Sequence, residues 1–119
     1  MTKIQEALAE LHRLQGVKGA ALVTHDGLIA AQSLDARFST DVVAGLTSYL
    51  MMTTNRCLEE GRQPKAAQIV VHASNGKAIL TNLDDTCLIV LFDQFADPAT
   101  ARRDVQEAAQ MIRRASRIS

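Results

Sequence analysis

The sequence has 119 residues, a length suited to one domain that buries most of its unfolded surface. Apolar residues make up 47% and charged residues 22%, an ordinary globular balance. Thirteen Lys and Arg offset thirteen Asp and Glu, so the whole chain carries no electrostatic footprint for nucleic acid, and net charge does not oppose self-association. Phe38, Tyr49, Phe92 and Phe95 are the only aromatics, too few for a base-stacking platform. No stretch approaches the roughly 18 apolar residues of a membrane span. The polar start, Met1 to Glu6, reads as the beginning of a helix and not as a signal peptide. Cys57 and Cys87 each sit in an apolar segment, which predicts reduced, buried thiols in a cytoplasmic protein.

The first element is a helix. Thr2 can cap it, with Gln5 as the capping-box partner, and Ile4, Ala7, Leu8, Leu11 and Leu14 form one apolar stripe. Gly16 is placed to end it. Two short apolar runs, 19–24 and 28–33, then flank His25-Asp26-Gly27, a hairpin signal. The small residues Gly19, Ala20 and Ala21 suggest a helix packed close to the first of these strands.

Ser39, Thr40 and Asp41 open a long second helix that can run to Gly61, with Pro64 beyond as a stop. A helical wheel gives three stripes. Val42, Val43, Leu46, Leu50, Thr53 and Cys57 form the strongest apolar face, expected on the core. Ala44, Thr47, Met51 and Leu58 lie roughly opposite, and Tyr49, Met52 and Arg56 share a third ridge. An ordinary surface helix has one apolar stripe and a charged back, so this helix reads as covered twice.

Three strands follow. Residues 67–73 alternate, with Gln68, Val70 and His72 on one side. They reach a Ser74-Asn75-Gly76 turn, expected to use the Asn-Gly pair. Residues 77–83 return to an Asp84-Asp85 turn, and 87–92 form an unbroken apolar run suited to a central strand. Asp97-Pro98 begins a last helix with Val105, Ala108, Ala109 and Ile112 as its stripe. The order is α-β-β-α-β-β-β-α over a single domain spanning residues 1–119.

This chain resembles the roadblock family of dynein-associated light chains and their prokaryotic relatives, among them the MglB-type partners of Ras-like GTPases. Residues 14–32, Leu-Gln-Gly-Val-Lys-Gly-Ala-Ala-Leu-Val-Thr-His-Asp-Gly-Leu-Ile-Ala-Ala-Gln, are similar to the family's helix-to-hairpin stretch. Residues 78–91 are similar to its closing hairpin. The resemblance implies an α+β, profilin-like fold: a five-stranded antiparallel sheet with the first and last helices on one face and the middle helix on the other. It also implies a homodimer made by the third strand and the middle helix. The residues themselves point the same way, because the 67–73 strand carries no Pro and no interior charge to protect an edge. The expected dimer interface is therefore Ala44, Thr47, Met51, Leu58, Gln68, Val70 and His72.

Catalytic signals are weak. Gly76-Lys77 is the only Gly-Lys pair, and Val71 stands where a phosphate loop needs its first Gly. His12, His25 and His72 lack metal-ligand spacing. His25 beside Asp26 reads as a solvated turn, Cys87 as an inert core thiol, and Asp84-Asp85 as turn formers. Arg102, Arg103, Arg113, Arg114 and Arg117 read as a solvated face, the last three complementing a helix C-terminus. No catalytic residue, cofactor or metal is expected.

Tyr49, Met52 and Arg56 weigh differently, since Tyr, Met and Arg are enriched at interfaces and Tyr and Arg dominate hot spots. They are the expected partner-binding ridge. The leading expectation is a non-catalytic homodimer that docks a small Ras-like GTPase and modulates its nucleotide cycle or localisation. Arg56 or Arg62 is the candidate arginine finger. The alternatives are a small-molecule sensor domain and an adaptor subunit of a motor or kinase complex.

Overall fold

The computed structural model describes residues 2–118, with side chains described for 2–116. Helix α1 (Lys3–Arg13) starts where Thr2 Oγ1 accepts the Gln5 N–H at 3.1 Å. Strands β1 (Val17–Thr24) and β2 (Ile29–Leu34) form the first hairpin, with Gly27 supplying the left-handed backbone of its turn. Helix α2 (Thr40–Glu60) is capped by Ser39. Strands β3 (Gln68–Ala73), β4 (Gly76–Asn82) and β5 (Thr86–Asp93) follow. A short 3-10 turn (Pro98–Ala101), capped by Asp97, leads into α3 (Arg102–Ile118).

The sheet has the order β2-β1-β5-β4-β3, every pairing antiparallel. The central strand β5 and its neighbour β1 carry the longest apolar runs because both of their faces are covered. On one face α1 and α3 pack Leu8, Leu11, Val105 and Ile112 against Leu22, Leu88 and Val90. On the other, α2 packs Val43, Ala44 and Met51 against Ala21, Val23, Leu80 and Ile89. This is the five-stranded, two-faced α+β architecture that the family resemblance implied.

Several details differ from the sequence expectations. The largest is the orientation of α2. Ala44, Thr47 and Met51, expected at a dimer interface, are buried against the chain's own sheet. Leu58, expected with them, is half-buried. Val42, Leu46, Thr53 and Cys57, expected on the core, face outward. Only Val43 and Leu50 of that stripe reach the core. Small side chains decide the matter: Ala44 and Thr47 let the helix settle near Ala21, and the Thr47 hydroxyl is satisfied internally by donating to Val43 O at 2.7 Å.

Cys57 is exposed, while Cys87 is buried as expected. Gly19 makes room for a strand and not a helix: a Cβ there would stand 2.7 Å from Leu34 Cα. The β3–β4 connection is Ser74-Asn75, with Gly76 already paired to Ala73 inside the sheet. At the end of α2 the left-handed residue is Arg62 and not Gly61.

Candidate functional site

The backbone of β3 shows what the sheet leaves unpaired. Asn82 N donates to Ala67 O at 2.9 Å, one step beyond the β3–β4 register. In an antiparallel ladder residues alternate between facing the partner strand and facing away. Ile69, Val71 and Ala73 therefore face β4, and the N–H and C=O groups of Gln68, Val70 and His72 point off the open edge. Neither proline nor charge lies among them.

The opposite edge is partly covered by side chains. The same alternation, set by Asp35 N on Lys18 O, points the backbone of Gln32 and Leu34 outward in β2. Gln5 Nε2 donates to Gln32 O at 2.8 Å, and Leu34 N donates to Gln32 Oε1 at 2.9 Å. The sheet thus has one blunted edge and one bare edge.

The outward face of α2 is equally uncovered. Val42, Leu46, Tyr49 and Met52 are 58, 56, 59 and 51% exposed. Fully burying an exposed Val, Leu or Met contributes roughly 1.5–3 kcal/mol, and these side chains are already about half buried; four on one helix face make a candidate binding surface. Gly45 lies among them, and a Cβ built on it would meet nothing within 4 Å. Its open backbone leaves space for close approach of another element. The expected ridge residues Tyr49, Met52 and Arg56 all lie on this exposed face.

Beside the ridge is a solvent-open cleft of about 700 Å³. Met51, Met52, Pro64 and Cys87 give it apolar walls, and Arg56 and Lys65 stand at it with Glu59. Neither cation has an ion-pair partner among the described residues. Asn55 Oδ1 accepts the Ala66 N–H at 2.8 Å and so holds the segment before β3 against the helix. Burial pushes the Cys87 thiol up to about 12, which removes it as a nucleophile near neutral pH.

The remaining candidates have structural partners. His12 bridges Ser33 Oγ at 2.8 Å and Asp35 Oδ1 at 2.7 Å, tying α1 to the end of β2. His25 contacts Asp84 O and links the turns at one end of the sheet. Asp26 is held below the usual carboxylate range by the Thr24 hydroxyl. Arg113 Nη2 donates to Asn82 O at 2.9 Å, and Arg103 pairs with Glu107 at 3.6 Å. The side chain of Arg117 lies outside the described residues. Among the described residues no group of three His, Cys, Asp or Glu could hold a metal ion, and no helix is long and apolar enough to cross a membrane.

The sequence reading missed Asn82. Its amide donates to Ala66 O and accepts from Asp84 N, so it organises the entry to the bare strand. A polar residue closing an apolar strand was the available signal. It missed Gly45 as well, whose signal was a glycine inside a long helix.

A family model for the Roadblock/LC7 domain matches residues 3–92. An uncharacterized protein of Methanocaldococcus jannaschii, MJ1340, is 26% identical over 110 residues, covering 92% of this chain and 96% of that protein. The MglB of Myxococcus xanthus has a similar structure, with a TM-score of 0.92 at 16% identity, covering 100% of this chain and 98% of that one. A Roadblock/LC7 domain from Streptomyces avermitilis gives a TM-score of 0.83 at 23% identity, covering 92% and 93%.

Proposed function

The chain belongs to the Roadblock/LC7 family, and from that premise we propose that it is a non-catalytic, homodimeric docking module for a small Ras-like GTPase. The observation that carries this reading is the pairing of a bare β3 edge with an uncovered apolar face on α2. Two copies meeting edge to edge would complete the hydrogen bonds of Gln68, Val70 and His72 about a two-fold axis. Such an isologous contact is self-complementary and closes at two subunits. Val42 and Leu46 would then meet their counterparts across the axis.

The ridge of Tyr49, Met52 and Arg56 would face the third party. The GTPase as partner rests on the likeness to MglB-type proteins, and the residue types of the ridge support a protein partner. Regulation would follow from ordering the switch loops of the GTPase, or from Arg56 reaching its nucleotide. A small-molecule sensor draws support only from the cleft beside Met52, which opens to solvent where a ligand site would enclose its ligand.

The test is solution mass by light scattering on wild type and Val70→Pro. Proline removes an edge-facing donor and leaves the β3–β4 ladder intact. A wild-type dimer that becomes a folded monomer supports the reading. Wild type remaining monomeric at high concentration overturns it. Capture of a Ras-like GTPase by wild type, lost in Tyr49→Ala and Met52→Glu, then tests the ridge.

A further inference from the structure

Phe95 is 85% exposed, well beyond any other large apolar side chain described. Its loop is nevertheless firmly built. Asp93 Oδ1 accepts from Phe95 N at 2.9 Å and Ala96 N at 2.8 Å. Lys77 Nζ donates to Ala96 O at 2.7 Å, and Asp97 Oδ1 caps the following turn through Ala99 N at 3.0 Å. From below, Gly16 approaches so closely that a Cβ on it would stand 2.7 Å from Ala96 Cβ. The backbone beneath the ring is thus fixed, with Asp93, Asp97 and Lys77 around it, and the ring has no role in the chain's own core. A rigid apolar group held out in water loses little conformational entropy on binding.

The cleft beside α2 is its chemical complement. Its walls are Met51, Met52 and Pro64, and methionine adapts to an aromatic guest. Arg56 and Lys65 stand there beside the single carboxylate of Glu59, without ion-pair partners among the described residues, and outnumber it where Asp93 and Asp97 would approach. The chain cannot fill its own cleft. Cys87, near the start of β5, lines the cleft, and Phe95 follows the end of that strand, so the two are separated by roughly 20 Å or more.

The geometry points to a second self-association site: Phe95 of one copy docks into the Met51–Met52–Pro64 cleft of another, with Asp93 and Asp97 against Arg56 and Lys65. Knob and cleft are different patches at opposite ends of the sheet, so the contact is heterologous. Each junction leaves one knob and one cleft free, and assembly continues into a filament or closes into a ring. The edge-strand dimer proposed above closes on itself, and this contact would join such units. It also covers Met52 and Arg56, so growth of the assembly and docking of a partner on the ridge exclude one another.

The experiment is sedimentation velocity over a concentration series on wild type, Phe95→Ser and the double variant Arg56→Glu/Lys65→Glu. All the substitutions lie on exposed side chains. Wild type is expected to grow beyond its basal unit with an about two-fold rise in weight-average mass, less at high salt. Each variant alone is expected to stop at the basal unit. An equimolar mixture is expected to associate again, because Phe95→Ser keeps an intact cleft and the charge variant an intact knob. Arg103→Glu is expected to behave as wild type. Growth that is absent in wild type, survives Phe95→Ser, or fails to return on mixing overturns the proposal. Association lost in Val70→Pro but indifferent to Phe95→Ser would retain the edge-strand dimer and reject this contact.

Discussion

The Gln5 side-chain amide donates to the backbone carbonyl of Gln32 across 2.8 Å, and this contact makes the two edges of the sheet unequal. Gln32 in turn uses its own side chain to accept the Leu34 N–H. Two outward groups of β2, Gln32 O and Leu34 N, are therefore occupied, while among the described residues none of those of Gln68, Val70 and His72 in β3 is. The edge-to-edge pairing proposed above would therefore be steered to the β3 side without a proline or a charge on either strand.

Replacing Gln5 with Ala should free the Gln32 carbonyl and little else. The expected loss of stability is about 0.5–1 kcal/mol in urea unfolding, the net value of one exposed hydrogen bond. The oligomeric state by light scattering should not change, because the β3 edge is untouched. A variant that loses association would mean that β2 takes part in it.

Gly45 gives a sharper prediction, because stability and association should move in opposite directions. A glycine inside an exposed helix costs roughly 0.5–1 kcal/mol relative to alanine. At Gly45 a Cβ meets nothing within 4 Å in the single chain. Gly45→Ala should therefore raise the unfolding free energy of dilute protein by about that amount. If another element packs closely over α2 there, the same methyl group should weaken association at high concentration. Stabilisation with no change in association would place Gly45 outside any contact.

These cases mark which features were legible in the sequence. Caps such as Thr2 and Asp97 act over two or three residues, and strands declare themselves by alternation or by unbroken apolar runs. Element order followed from such local signals, as did the absence of Pro and charge in 67–73, whereas the place of that strand at the sheet edge followed from the family resemblance. The facing of α2 did not. A wheel ranks stripes by hydrophobicity, whereas the sheet selected Ala44 and Thr47 for their small size and left the more apolar Val42 and Leu46 for the outside. Cys57 was misplaced with them. The Gln5–Gln32 closure spans 27 residues and the Gly19–Leu34 approach spans two strands, so both depend on tertiary pairing. The exposed ridge of Tyr49, Met52 and Arg56 was legible because its residue types differ from those of an ordinary solvated face.

The two cysteines should react differently. Cys57 is exposed and should label promptly with a thiol reagent at pH 8. Cys87, buried with its thiol pushed up to about 12 from the usual 9.0, should label only on unfolding. The same shift sets an alkaline dependence. Below pH 9 the thiol is protonated in both states and contributes no slope. Above that value the unfolded chain releases the proton while the folded chain keeps it, so stability falls as pH rises toward 12, by at most about 1.4 kcal/mol per unit. Comparing alkaline unfolding of wild type and Cys87→Ala isolates this slope; identical slopes would contradict the assignment.

Asn82 should be the costliest polar position in the fold. Its Nδ2 donates to Ala66 O at 3.1 Å, its Oδ1 accepts from Asp84 N at 2.8 Å, and its carbonyl receives Arg113. Truncation in Asn82→Ala leaves the Ala66 carbonyl and the Asp84 amide without these partners. At about 1–3 kcal/mol per unmet buried group, less where water reaches in, a loss of about 2–4 kcal/mol is expected. Removing the Arg113 contact by Arg113→Ala should cost far less, since backbone pairing at Asn82 remains. The damage should also be local. Asn82 and Asn55 together hold residue 66, from which the bare strand begins, so amides at 67–70 should exchange faster in Asn82→Ala while those of β1 and β5 stay protected. If the β3 edge carries association, the same variant should dimerise more weakly than its folded fraction predicts. Uniformly faster exchange would show instead that Asn82 supports the whole sheet and not the edge alone.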